Sequence, residues 1–221
     1  MGLNRYLYEP ISSLTHIAGA IAAVSGSIML IILTWGEAVK MLSLGIFGLS
    51  MVTLYTVSAL FHGIKLPENK RMWLNRMDHG AIFLLIAGTY TPIVAVLYPS
   101  GWRIAILIVI WLSVLVGVLY KLFSRRIHGI LNASIYPLVS WAGVVPVLFF
   151  AQIRAVFSGG GIWLVALGGI IYMAGFFIYL FKKPDPWPDM FGHHEIWHLF
   201  VLGGTLSHFL FMVLYIVPYQ A

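Results

Sequence analysis

A chain of 221 residues that is 61% hydrophobic and only 9% charged, with a mean hydropathy of +0.94, lies far from the roughly 25% charged content of soluble domains. It reads as an integral membrane protein, so its net charge of +6 is taken as a topology signal and nucleic-acid binding is set aside. The absence of cysteine excludes disulfides, thiolate ligands and cysteine nucleophiles, and any metal must be held by nitrogen and oxygen.

The apolar runs begin close to the start. A polar opening from Met1 to Pro10 leads into the first run without a small-residue cleavage site of the secretory kind, so this run is read as a span. Stretches of near twenty residues, each long enough as a helix to cross about 30 Å of hydrocarbon, fall at 14–34, 42–62, 80–98, 103–122, 131–151, 162–181 and 196–217. Short connections leave no room for a soluble domain. The expectation is an all-α integral membrane fold, a seven-transmembrane helix bundle in which residues 1–221 form one domain.

Positive charge in the connections orients such a bundle. With the N-terminus inside, one face gathers Arg5, Lys65, Lys70, Arg71, Arg76, Lys121, Arg125, Arg126, Lys182 and Lys183, and the other holds only Lys40, Arg103 and Arg154. Ten against three puts the N-terminus in the cytoplasm and, for an odd number of spans, the C-terminus outside. Ala18, Ala22 and Gly26 form a row of small residues through which the first span could approach a neighbour closely. Pro92, Pro137 and Pro146 fall inside spans, and Trp35, Trp102, Trp163 and Tyr219 fall near span ends, as an aromatic belt requires.

In so apolar a chain, ionisable residues at span ends are functional candidates. His194 and His198, at the mouth of the last run, are one helical turn apart, the spacing at which two imidazoles hold one metal ion. His62 ends the second span and Asp78 opens the third on the same membrane face. Four potential ligands therefore share a depth, and they share a site if spans 2, 3 and 7 are neighbours. Three neutral imidazoles leave a fourth tetrahedral position for water, the open arrangement of catalytic zinc, although iron, manganese, nickel and cobalt suit such donors too. Asp78 is either a direct ligand or the partner that orients the water and accepts its proton. Ser58, one turn before His62, either orients that imidazole, holds a substrate oxygen, or bonds its own i−4 carbonyl.

Other polar residues fall into place around this set. Glu9, Ser13 and His16 share a helical face at the same depth if the first helix reaches back to Glu9, and they are assigned a supporting role behind the ligands. His16 lies deep enough to need a hydrogen-bond partner. His79 and His193 are rotated about 100° from Asp78 and His194 and read as flanking groups. His128 belongs to a basic connection, and His208, ten residues beyond His198, lies too far along the helix to share the site.

The motifs Glu9-xxx-Ser13-xx-His16, Ser58-Ala-Leu-Phe-His62, Arg76-Met-Asp78-His79-Gly80, Ala87-Gly-Thr-Tyr-Thr-Pro92 and His194-xxx-His198 resemble those of the bacterial hemolysin III proteins. That family is similar to the progestin and adipoQ receptors and, more remotely, to the alkaline ceramidases. The resemblance implies a seven-helix fold with the N-terminus inside and a location in the bacterial cell membrane. It also implies zinc held by His62, His194 and His198, with Asp78 reaching the metal through water. The receptors' long cytoplasmic N-terminal domain has no counterpart here, so hormone reception is not carried over.

Three functions fit these expectations. The first is a zinc-dependent intramembrane hydrolase acting on a membrane lipid amide or ester, with Asp78 and Ser58 as its catalytic groups. The second is a non-catalytic receptor or sensor with a structural zinc and a lipid ligand. The third is a channel or cytolysin of the kind the family name suggests.

Overall fold

The computed structural model describes residues 7–124, 130–142, 160–188 and 190–220. Seven helices run through them: α1 (Pro10–Leu33), α2 (Ala38–Gly63), α3 (Glu68–Leu97), α4 (Ser100–Phe123), α5 (Ile130–Ala142), α6 (Ile162–Phe181) and α7 (His193–Phe211). A wider helical turn over Met212–Ile216 continues α7. All but α5 are long and apolar enough to cross a membrane. The second half of the expected fifth span, 143–151 with Pro146, lies outside the described residues, as do Arg5, Arg125, Arg126, His128 and Arg154.

Local chemistry explains the helix ends. Pro10 opens α1, where its missing N–H costs nothing and its fixed φ is already helical. Pro67 and Pro99 stand just before α3 and α4. The third helix begins at Glu68 rather than near the expected residue 80, because apolarity marks only the part inside hydrocarbon. The polar residues Glu68–Asp78 carry no glycine or proline and continue the helix toward water, with Glu68 in the first turn where negative charge complements the helix dipole. Pro92 and Pro137 sit inside α3 and α5 as expected.

Packing joins the helices in chain order, α1 on α2, α2 on α3 and α3 on α4, while α6 packs on α7 and α7 returns to α1. The core between them includes Leu30, Leu44, Phe47, Phe211, Met212 and Ile216, all fully buried. One packing expectation holds at Gly26, which lies against the Phe209 ring, and fails at the other two positions: Ala18 and Ala22 face outward, and α1 instead buries Ser12, His16, Gly19, Ala23 and Leu30. Polar Ser12 and His16 must be kept from lipid, and that requirement rotates the helix more strongly than small residues do. Trp35, Trp102 and Trp163 are exposed at the helix ends, where an aromatic belt would place them.

Candidate metal centre

Three chain segments meet at one end of the bundle. The residues preceding α1 lie along the last turn of α2, where Tyr8 N–H donates to Gly63 O (3.1 Å) and Glu9 N–H to His62 O (2.8 Å). This places the Glu9 carboxylate against His62 Nδ1. From the other side α7 brings up its first turns, and His62 and His198 are almost completely buried. Glu195 ties that helix start down: its Oε2 accepts the Gly192 N–H at 2.9 Å and its Oε1 accepts the Ser12 hydroxyl at 2.7 Å.

His62, His194 and His198 converge. Their candidate ligand atoms all lie within 4.8 Å of one another. The Nε2 atom of His194 is 3.3 Å from that of His62 and 3.2 Å from that of His198. Nitrogens bound at about 2.0–2.1 Å in tetrahedral directions lie about 3.3 Å apart, so these separations suit a zinc-sized cation.

The outer ring nitrogens decide which tautomers face the centre. His62 Nδ1 donates to the Glu9 carboxylate, and His198 Nδ1 donates to the backbone carbonyl of Ser12 at 3.2 Å. A neutral imidazole that donates through Nδ1 presents a lone pair at Nε2. Two lone pairs are thus turned toward His194, an arrangement that repels itself unless a cation or proton lies between. Such carboxylate and carbonyl partners are the usual orienters of metal-binding histidines. Burial acts to raise the Glu9 pKa, but the bond to His62 and the charges of His62, His194 and Arg71 outweigh it and hold the carboxyl below its usual value. Arg71 donates to Glu9 Oε1 at 3.0 Å and lies over the Tyr8 ring, so Glu9 is itself held from two sides.

Asp78, in α3, lies outside the group of convergent nitrogens. Its carboxylate is bonded by the Ser58 side chain. This partner is none of the three that the sequence suggests for Ser58. Tyr136 of α5 and Tyr179 of α6 stand within electrostatic reach of Asp78, and the Tyr179 ring centroid is 5.9 Å from that of His194.

The supporting residues divide. Glu9 contacts His62 directly, although α1 starts only after it. Ser13 donates to Ala59 O at 3.1 Å and so fastens α1 to α2 without touching the imidazoles. His16 stacks on His198 with ring centroids 3.7 Å apart, but the hydrogen-bond partner expected for it is absent among the described residues. His79 and His193 stay out of the convergent group, as their rotation implied. Sequence reasoning missed Ser12, Arg71, Glu195, Tyr136 and Tyr179. Ser12 and Glu195 could have been found, since Ser12 precedes His16 by four residues and Glu195 precedes His198 by three.

Comparison with known proteins gives this geometry a family. The description of the haemolysin-III related family matches residues 4–209. The chain belongs to the haemolysin-III family. It is 35% identical over 211 residues to the hemolysin-3 homolog of Bacillus subtilis (strain 168), covering 95% of this chain and 94% of that relative. Hemolysin-3 of Bacillus cereus is 33% identical over 221 residues, 98% of this chain and 95% of that one. The human monocyte to macrophage differentiation factor is more distant, 24% identical over 199 residues, 88% of this chain and 79% of its own. Family and helices together make this haemolysin-III protein a multi-span membrane protein, consistent with a bacterial cell membrane.

Proposed function

We propose that this protein is a zinc-dependent intramembrane hydrolase, acting as one domain, that cleaves an amide or ester of a membrane lipid. The observation that carries the reading is the convergence of His62, His194 and His198 near an Asp78 that is bonded to Ser58. His62 and His198 would offer Nε2 to the ion, held in the required tautomer by Glu9 and Ser12, and His194 would complete the set through its own Nε2. A bound zinc ion polarises a carbonyl and acidifies water.

The residues do the remaining work. Asp78 accepts the proton of the water that adds to the carbonyl carbon, and returns it to the departing amine nitrogen or alcohol oxygen as the carbon–heteroatom bond breaks. Ser58 orients the Asp78 carboxylate for both transfers. Lys65, Lys70, Arg71, Arg76, Lys121, Lys182 and Lys183 lie toward this end of the bundle, against Lys40 and Arg103 toward the other, which supports a cytoplasmic placement of the centre.

A second reading has its own support. Ser12 bonds to both Glu195 and His198, so the centre ties α1 to α7 and a metal there could serve structure alone. Zinc-loaded protein in lipid nanodiscs, incubated with ceramides and phospholipids and followed by mass spectrometry, separates the two. Turnover that disappears in His62→Ala and Asp78→Asn supports the hydrolase. Turnover indifferent to both changes, or no cleavage of any lipid by protein carrying one zinc per chain, would overturn it in favour of a structural metal.

A further inference from the structure

The end of the bundle opposite the metal centre carries a groove of about 540 Å³, open along one side, between the start of α2, the last turn of α3, the first turn of α4 and the segment that follows α7. The described residues at that end include two basic side chains, Lys40 and Arg103, and both line this groove. Topology gathers cations at the other end, so a pair that meets here has a separate cause. Capping accounts for part of it. Lys40 is almost completely buried, with its Nζ donating to Val217 O at 2.8 Å and lying 2.7 Å from Glu37 Oε2. Its charge is thus matched by a carboxylate of the same groove.

Arg103 has no such match. Its Nε donates to Tyr98 O at 2.6 Å, which caps the end of α3 and uses one of the guanidinium donors. Among the described residues no carboxylate pairs with Arg103, and its Nη1 and Nη2 complete no bond. Two cations against one carboxylate leave a single positive charge uncompensated in the groove. Depth and lining then narrow the ligand. Trp35, just after α1, and Trp102, in the first turn of α4, stand exposed at this end, where an aromatic belt marks the level of lipid headgroups. Val39, more than half exposed, and Val96 bring apolar surface to the same groove. A small soluble anion gains nothing from that surface, whereas a phospholipid joins one anionic phosphodiester to glycerol and acyl chains.

We propose that this groove holds the phosphodiester of an anionic phospholipid, in the leaflet opposite the metal centre. The guanidinium fork of Arg103 offers Nη1 and Nη2 to two phosphate oxygens, a task for which arginine is better shaped than lysine. Lys40 keeps one N–H beyond those given to Val217 O and Glu37, and Tyr219, which also lines the groove, carries a hydroxyl. The phosphodiester charge balances that of Arg103, while glycerol and the upper acyl chain lie along Val39 and Val96. An uncharged head such as glycerol preserves this balance. A choline head brings a second positive charge and is held less well. The site is separate from the three imidazoles and holds whether or not they serve hydrolysis.

The zinc-loaded full chain in detergent micelles is titrated with phosphatidylglycerol or with phosphatidylcholine, and the lipid retained per chain is counted by native mass spectrometry. One phosphatidylglycerol should be held about tenfold more tightly than phosphatidylcholine, and Arg103→Gln should remove that preference. Arg103→Lys, with the charge but not the fork, should fall between. The control Lys70→Gln, at an exposed lysine on the end that holds the metal centre, should keep the full preference. Glu37→Gln acts in the other direction: without the carboxylate the lipid should bind severalfold more tightly, a gain that a damaged fold cannot produce, so this variant decides should Arg103→Gln fail to fold. Inorganic phosphate in large excess should leave the lipid in place. Equal retention of the two lipids, an undiminished preference in folded Arg103→Gln, or no gain in Glu37→Gln overturns the proposal, and displacement by inorganic phosphate overturns it in favour of a soluble anion.

Discussion

His198 and His208 sit on one helix, the first fully buried and the second half-buried, both with a ring nitrogen bonded to a backbone carbonyl, yet their chemistry differs. At His198 the carbonyl takes Nδ1–H, so Nε2 faces two further imidazoles within ligand distance of a common point. At His208 the carbonyl takes Nε2–H, so Nδ1 is left alone beside aromatic and hydroxyl groups. What separates a metal ligand from an internal polar group is thus the nitrogen the backbone claims and the company of the other one. Residue type alone does not distinguish them.

Replacing each histidine should break the comparison most widely. His198→Ala should lower zinc from about one ion per chain to near none, read by elemental analysis, because two nitrogens do not close a zinc site. Wild-type unfolding should also respond to zinc, by about 2.7 kcal/mol at a hundredfold excess over the dissociation constant, while His198→Ala should not respond. His208→Leu should keep its zinc. Equal metal content in the two variants would show that the centre is not where the nitrogens converge.

Asp78→Asn comes next. The amide cannot take up a proton at neutral pH, so turnover should fall by about 10²–10⁴-fold while zinc content stays at the wild-type value. Loss of zinc together with turnover would instead make Asp78 a ligand. Glu9→Gln probes the partner of His62 more gently. The amide still offers an oxygen to Nδ1–H but no charge, so zinc affinity measured by chelator competition should weaken by about 10–100-fold. An unchanged affinity would confine Glu9 to its contact with Arg71.

Much of this architecture is legible in the sequence because hydrocarbon leaves few alternatives. Twenty apolar residues in succession have one way to satisfy their backbone, and a His-xxx-His pair at the start of such a run can only share a face. The depth shared by His62, Asp78, His194 and His198 follows from the same reasoning. What periodicity does not carry is rotation about each helix axis and pairing across distant helices. The small size of Ala18 and Ala22 points to a packed face, whereas Ser12 and His16 determine that face. Nothing in the chain links Ser12 to Glu195, 183 residues away, or brings Tyr136 and Tyr179 to Asp78. The early start of α3 is not legible in hydropathy because its first turns lie beyond the apolar stretch that marks a span.

Gly168→Ala sharpens the comparison from the His208 side. The added Cβ would fall 2.4 Å from that ring, and the ring, fixed by Val165 O, has little room to retreat. Overpacking of this kind costs about 1–3 kcal/mol, to be read from the denaturant dependence of unfolding in micelles, with zinc content unaffected. A neutral result would mean that His208 readily turns away, and the bond to Val165 O would then not be what orients it.

Ser13→Ala is the smallest of the set and the most discriminating about the role of α1. Ser13 lies between Glu9 and His16 in sequence, but its hydroxyl points to Ala59 O on α2, away from the three imidazoles. If its contribution is one buried hydrogen bond between helices, its loss should cost about 0.5–1.5 kcal/mol and leave zinc affinity unchanged. The Ala59 carbonyl loses only this extra acceptance, so the figure should fall toward the lower end. A measurable loss of zinc affinity would mean that α1 shifts on α2 without this bond and carries Ser12 O away from His198, in which case the position of the metal centre depends on helix packing two turns removed from any ligand on α7.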